Sequence, residues 1–188
     1  MRIIVLLSLL LAGCTSQPVT APEIYLLRSA ATQMPQATAL APPQVGLSAV
    51  TVADYLDQPG LVLETESGTL HRARQHLWAE PLRTSLLRFM ANEIGAALQA
   101  PVAVGPLAQE LESGLSLISI RIDQLHGSNN GAAVLAANWE YTAPGGVIQS
   151  YRFTRQQALA DDGYAALVAA EKSLLIQLAE TIAAALEG

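Results

Sequence analysis

The residue types able to do chemistry are few in this chain, and most stand apart from one another. Cys14 is the only cysteine, so no disulfide can close within the chain and its thiol is available for modification. His71, His76 and Glu80 come nearest to a metal cluster. Their spacing fits neither the one-turn separation of helical ligands nor a zinc-finger pattern, and no cysteine assists. Ser67-Gly68 and Ser113-Gly114 lack the Gly-x-Ser-x-Gly frame of a nucleophile elbow. Gly127 to Gly131 lacks the Lys-Ser/Thr that completes a phosphate loop, and it precedes a strand pattern, where a phosphate loop opens a helix. Asp161-Asp162 stand just before an apolar helical pattern, where carboxylates serve as caps. We therefore expect no catalytic residue, no metal and no cofactor, and the chain reads as a protein that is not an enzyme. Two features keep a chemical meaning: Cys14, and the arginine-rich stretch Arg72 to Arg88, RARQHLWAEPLRTSLLR.

Cys14 ends the run Leu10-Leu11-Ala12-Gly13-Cys14. Before it come Met1 and Arg2, then Ile3 to Ala12, apolar except for Ser8. That run is too short to span a bilayer, which takes ~20 residues. It has the form of a signal-peptide core, with small residues at the cleavage site. Leu-Ala-Gly-Cys resembles the lipobox of bacterial lipoproteins. The resemblance implies cleavage between Gly13 and Cys14 and acylation of the sulfur (a palmitate-type lipid), so that Cys14 becomes the lipidated N-terminus. Two or more acyl chains, at ~0.8 kcal/mol for each buried CH₂, anchor a protein stably without spanning the membrane. Residues 1–13 are then a cleaved signal peptide, 14–23 a lipidated tether containing Pro18 and Pro22, and 24–188 a single domain. Fully extended, the tether reaches about 30 Å at ~3.3 Å per residue.

Removing the first 13 of 188 residues leaves 175, enough for one ordinary domain. Losing Arg2 takes the formal charge from −6 to −7, with Lys172 the sole lysine. An acidic chain without basic clusters speaks against nucleic-acid partners and against electrostatic adhesion to anionic lipid. The lipid must hold it to the membrane. Hydrophobic residues make up 51% of the chain, which suits a sizeable apolar interface and a homo-oligomer.

The elements that must position these residues follow from hydrophobic periodicity. Short strands are expected at Glu23–Arg28 and Leu47–Tyr55, the latter buried on both faces. Leu61–Glu64 and Thr69–Arg72 flank Glu66-Ser67-Gly68 as a hairpin. From Glu80 to Leu98, Leu82, Leu86, Phe89, Met90 and Ile94 repeat at helical spacing. Pro81 suits the first turn and Glu80 the positive N-terminal end. Val102–Val104 is a brief strand. Leu115–Leu125, with Ile118, Ile120 and Ile122 in one phase and Leu115 and Leu117 in the other, predicts a bulge or two-sided burial near Leu117. Ala133–Tyr141 and Val147–Phe153 complete a meander, and Gly163–Leu186 carries the apolar stripe of a final helix. The fold class is α+β: a mainly antiparallel sheet packed on one face by two long helices, about 80–99 and 163–187.

Arg72 to Arg88 occupies the joint between hairpin and first helix. Trp78 can bury over the core with arginine stems alongside it. Equally, arginines on an acidic protein can pair with acidic groups of a neighbouring subunit. Val52-Ala53-Asp54-Tyr55-Leu56-Asp57 leading to the hairpin, His76-Leu77-Trp78-Ala79-Glu80-Pro81-Leu82 opening the helix, and the early Tyr25-Leu26-Leu27 together resemble the ABC-type transport auxiliary lipoprotein component family, in its paraquat-inducible type. The resemblance runs from the lipobox to the last helix, with Trp-Ala-Glu-Pro-Leu its most specific piece. Leu56-Asp57-Gln58-Pro59 departs from the pattern, which leads us to expect a basic residue near Asp57. The resemblance implies a lipoprotein of the outer membrane facing the periplasm. It also implies a docking role in an intermembrane lipid transport system that supports envelope integrity. Its implied partners are an MCE-domain periplasmic protein and an associated inner-membrane protein. Tyr55, Arg72, Arg74, Trp78, Glu80, Pro81 and Arg83 are the family-motif residues that would form the interface. Two other readings are carriage of a small apolar ligand by the domain itself and an envelope scaffold without a transport role.

Overall fold

A computed structural model of the chain describes residues 21–30, 43–105 and 114–187. The expectations placed on Gly13, Cys14 and the tether up to residue 20 lie outside the described residues. The strands are β1 (Glu23–Tyr25), β2 (Val45–Val52), β3 (Gly60–Glu64), β4 (Leu70–Trp78), β5 (Val102–Val104), β6 (Ser116–Gly127), β7 (Ala132–Thr142) and β8 (Ile148–Ala158); the helices are α1 (Leu82–Leu98), between β4 and β5, and α2 (Tyr164–Glu187), after β8.

The α+β class holds, but the sheet is mixed and not mainly antiparallel. β3–β4, β6–β7 and β7–β8 are antiparallel, as consecutive strands joined by tight turns must be. β1–β4, β2–β5, β2–β6 and β3–β6 are parallel. The reason is in the connections: α1 lies on the path from β2 to β5 and from β2 and β3 to β6, and β2 and β3 lie on the path from β1 to β4, so in each case the chain returns to the same end of the sheet before the paired strand begins. Strand spacing predicts hairpins between neighbours in sequence and says nothing about partners reached by a crossover.

Hydrogen-bond register sorts the sheet into two faces. Val50, Ile120 and Trp139 align, as do Val52, Ile122, Ala137 and Phe153, and all are buried. The alternate row, Thr51, Arg121, Asn138 and Arg152, is polar. α1 packs on β2 and β5, α2 on β6, β7 and β8, and the helices pack on each other. β2 is therefore buried on one face only: Ala49 and Thr51 are exposed, which corrects the expectation of a strand covered on both sides. The extra residues are Ser48 in β2 and Asp123 in β6, so no bulge lies at Leu117. Leu115 and Leu117 instead pack with Ala103 in a small second cluster, the two-sided burial that their phase predicts.

α1 starts one residue after Pro81, whose carbonyl accepts the N–H groups of Thr84 and Ser85 at 3.0 and 3.1 Å. Its C-cap Gln99 is left-handed, φ 52°, and Pro101 follows, unable to continue the helix. α2 follows Gly163, φ 102°, whose carbonyl accepts Leu167 N–H at 3.1 Å. Stacked ring on ring, Trp139 and Tyr151 join β7 to β8 with centroids 4.0 Å apart.

Candidate functional site

The joint between β4 and α1 is built from both ends of the Trp78-Ala79-Glu80-Pro81 sequence. Trp78 is the last residue of β4 and belongs to the core. Its N–H donates to Pro59 O at 2.7 Å, and the next N–H, of Ala79, donates to Tyr25 O at 2.8 Å. The turn that follows β2 and the first strand are thus tied to one point of the chain. A core aromatic with its main chain held on both sides makes this corner rigid.

Glu80 stands beside the N-terminus of α1. Its Oε2 accepts from Ser85 Oγ at 3.1 Å and from the Arg88 guanidinium at 2.7 Å. A carboxylate there meets the positive end of the helix dipole as well as two side-chain donors. Arg83, one turn before, donates to Asp57 Oδ2 at 2.6 Å. Near the place where the family pattern leads one to expect a basic residue, the acid Asp57 thus binds helix α1 to the turn after β2. Tyr55, two residues earlier in that turn, reaches the other way: its hydroxyl donates to Asp123 O at 3.2 Å at the β6 bulge, and its ring lies edge-on to His126. Burial, first of all, pushes the Tyr55 phenol up to about 12, so it stays a hydrogen-bond donor at any physiological pH.

Two depressions flank Glu80. One, about 360 Å³, is lined by Asp57, Pro59, Trp78, Glu80 and Pro81 among others; the second, about 380 Å³, by Leu27, Arg28, Ser29, Glu80, Ser85 and Arg88 among others. Neither brings together a nucleophile, a base and an oxyanion donor set.

The structure divides the motif residues into two groups. Tyr55, Trp78, Glu80, Pro81 and Arg83 converge on the joint or its supporting turn, and each has a structural partner. Arg72 and Arg74 stand apart on β4, both exposed. Neither makes an ion pair with a carboxylate among the described residues, whereas Arg83, Arg88 and Arg121 each do. Gly60 lies under them: a Cβ there would come within 2.3 Å of Ala73 O and 2.7 Å of the Arg72 side chain.

His71 is exposed at the hairpin. His76 is stacked on Tyr164 at 3.9 Å, with Glu23 Oε2 at 3.5 Å and the Tyr25 hydroxyl at 3.3 Å. This cluster ties β1 and β4 to the start of α2, a role that sequence spacing did not suggest. No group of three His, Cys, Asp or Glu side chains that could hold a metal occurs among the described residues. Glu171 was also missed. It lies four residues after Leu167 and three before Leu174, on the apolar stripe of α2, and is fully buried with Oε2 unpartnered among the described residues. Desolvation raises its carboxyl from 4.5 to about 8. A charge at a stripe position was the available signal.

Comparison with known proteins gives consistent results. The sequence profile of the ABC-type transport auxiliary lipoprotein component family matches residues 25–183. The intermembrane transport lipoprotein PqiC of Escherichia coli K12 is 26% identical over 134 residues, 71% of this chain and 70% of that one. A crystal structure of an uncharacterized protein superposes with a TM-score of 0.73 at 22% identity, covering 89% of this chain and 99% of the other. Protein XCC0632 of Xanthomonas campestris gives a TM-score of 0.58 at 19% identity, over 85% and 92%. The two structures share the fold. Among the described residues, no helix is long and apolar enough to cross a membrane.

Proposed function

Since this chain belongs to the ABC-type transport auxiliary lipoprotein component family, we propose that it is the lipid-anchored docking subunit of an MCE-type intermembrane lipid transport system. Cys14 carries the lipid, the outer membrane holds the anchor, and the domain faces the periplasm, where it receives an MCE-domain protein linked to an inner-membrane component. The subunit acts as a homo-oligomer and supports envelope integrity by holding that conduit in place.

The observation that carries this reading is the division of labour around the joint. The Trp-Ala-Glu-Pro corner is internally satisfied and rigid, while Arg72 and Arg74 stand exposed farther back on the same strand without acidic partners among the described residues. On a chain of net charge −6, such arginines suit the carboxylates of another protein. Affinity purification of the detergent-solubilised, full-length protein from its native host should recover an MCE-domain protein. A preparation that retains none overturns the docking role.

A second reading rests on a separate observation. A groove of about 790 Å³ runs between α1 and β5, lined mainly by apolar groups from Ala91, Gly95, Ala96, Val102 and Val104. Its size matches a small apolar ligand, so the domain would itself carry lipid. Native mass spectrometry of the purified protein with no co-purifying lipid disposes of that alternative.

A further inference from the structure

Among the described residues the sheet has three outer edges, at β1, β5 and β8. Natural sheets protect such edges by making them short, bulged or proline-bearing, or by covering them. β1 and β5 are three residues each. β8 has eleven residues, IQSYRFTRQQA, with no proline and no glycine. It pairs with β7 residue for residue from Ile148 to Ala158 without a single register shift, and its other side pairs with no strand among the described residues. In an antiparallel strand every second residue turns both its N–H and C=O outward, so about five residues present an unused ladder. Val147 and Ile148, at the start of this edge, are 63% and 62% exposed.

The charge of the strand selects what can join it. β8 carries Arg152 and Arg155 and no acidic residue. Neither pairs with a carboxylate among the described residues; Arg155 lies over the Phe153 ring at 5.6 Å. Arg152 borders a shallow depression of about 650 Å³ on the open sheet face, together with Ser119, Arg121, Asn138 and Ser150. Arg121 is held by Asp123, and Glu140, the acid of that depression, sits one row away opposite Ser150. Pairing β8 with the β8 of a second copy would put four arginines into one ladder with no carboxylate to offset them.

We propose that the outer edge of β8 is a strand-addition site for an extended, acidic segment of the docked partner. This rests on the docking role proposed above and names the contact by which it is made. Arg152 and Arg155 are three residues apart and so point to opposite faces. The matching segment carries carboxylates three positions apart, one for each face, and an apolar residue at the end that covers Ile148. Main-chain hydrogen bonds give the affinity and the two carboxylates give the register.

The test uses full-length, lipidated protein purified with its MCE-domain partner from the native host. Hydrogen exchange on the complex should slow at least tenfold at alternate amides between 148 and 158, relative to the subunit alone. The double variant Arg152→Glu/Arg155→Glu, with an unchanged melting temperature, should cut recovery of the partner at least tenfold, and high salt should imitate it in the wild type. Exchange on the wild type decides the matter even if the double variant misfolds. A recovered partner that leaves residues 148–158 exchanging as in the free subunit overturns the edge and leaves docking intact. Protection that instead rises with subunit concentration, without partner, assigns the edge to a second copy and also overturns it. Failure to recover any MCE-domain protein removes both proposals together.

Discussion

Glu171 shows how one side chain sets a property of the whole fold. The unfolded chain ionises this carboxyl near 4.5 and the folded chain only near 8, because burial removes the charged form from water. Between those values the unfolded state has lost its proton and the folded state keeps it, so stability declines as pH rises from about 4.5 to about 8 and levels off above. At ~1.4 kcal/mol for each tenfold difference in proton affinity, the decline is on the order of a few kcal/mol. Thermal melts should therefore give a lower melting temperature at pH 8 than at pH 5. Glu171→Gln, which cannot ionise, should flatten that slope; an equally steep slope in the variant would show that another group is responsible. Cys14 belongs to the same scale. Cys14→Ser should leave the circular dichroism spectrum unchanged and move the protein from the membrane fraction to the soluble one. A variant that stays bound after high-salt and carbonate washing contradicts the anchor.

The β3–β4 hairpin and α1 act as a unit because backbone and side chains are locked where they meet. Gly60→Ala should destabilise the protein by roughly 1–3 kcal/mol, since the new methyl would meet Ala73 O, a main-chain atom that cannot turn aside. The urea midpoint measures it. Glu80→Ala releases Ser85 and Arg88. The pair is half exposed, which limits the loss to about 0.5–1 kcal/mol. How far such features can be read from residues depends on their range. The helices, the hairpin and the meander β6–β7–β8 follow from periodicity and turn residues, which act over a few positions. Pro81 and Glu80 mark the start of α1 for the same reason. The parallel pairings β1–β4 and β2–β6 join segments tens of residues apart, and no local pattern encodes them. The Arg83–Asp57 bond was hidden likewise: it depends on the turn after β2 swinging beneath α1, a consequence of sheet order. Ser48 and Asp123 became bulge residues through pairing with particular neighbours, so the phase change at Leu117 marked two-sided burial and not a bulge.

For the molecule as a whole, charge and edges point the same way. An acidic body, net −6, leaves arginines on β4 and β8 without carboxylate partners among the described residues, and such groups suit an acidic partner. Self-association as a homo-oligomer should appear in sedimentation of the domain without its lipid as a species heavier than one chain; a single monomeric boundary across the concentration range would rule out assembly by the domain alone. The proposed anchor gives the first strand a further meaning, which is mechanical. On the proposed reading, a subunit fixed to one membrane and engaged with a conduit from the other would be under tension whenever the two membranes separate, and the load would enter the domain at Glu23. There β1 is held by three residue pairs to β4, the Ala79 to Tyr25 hydrogen bond and the contacts of Glu23 and Tyr25 with His76. Leu27, two residues beyond, is the first side chain along the described residues that is buried in the core. Under load, β1 should peel as far as Leu27 and stop. That frees a segment about 13 Å long at ~3.3 Å per residue to swing toward the pull while the sheet and both helices stay whole, and the strand zips back when the load falls.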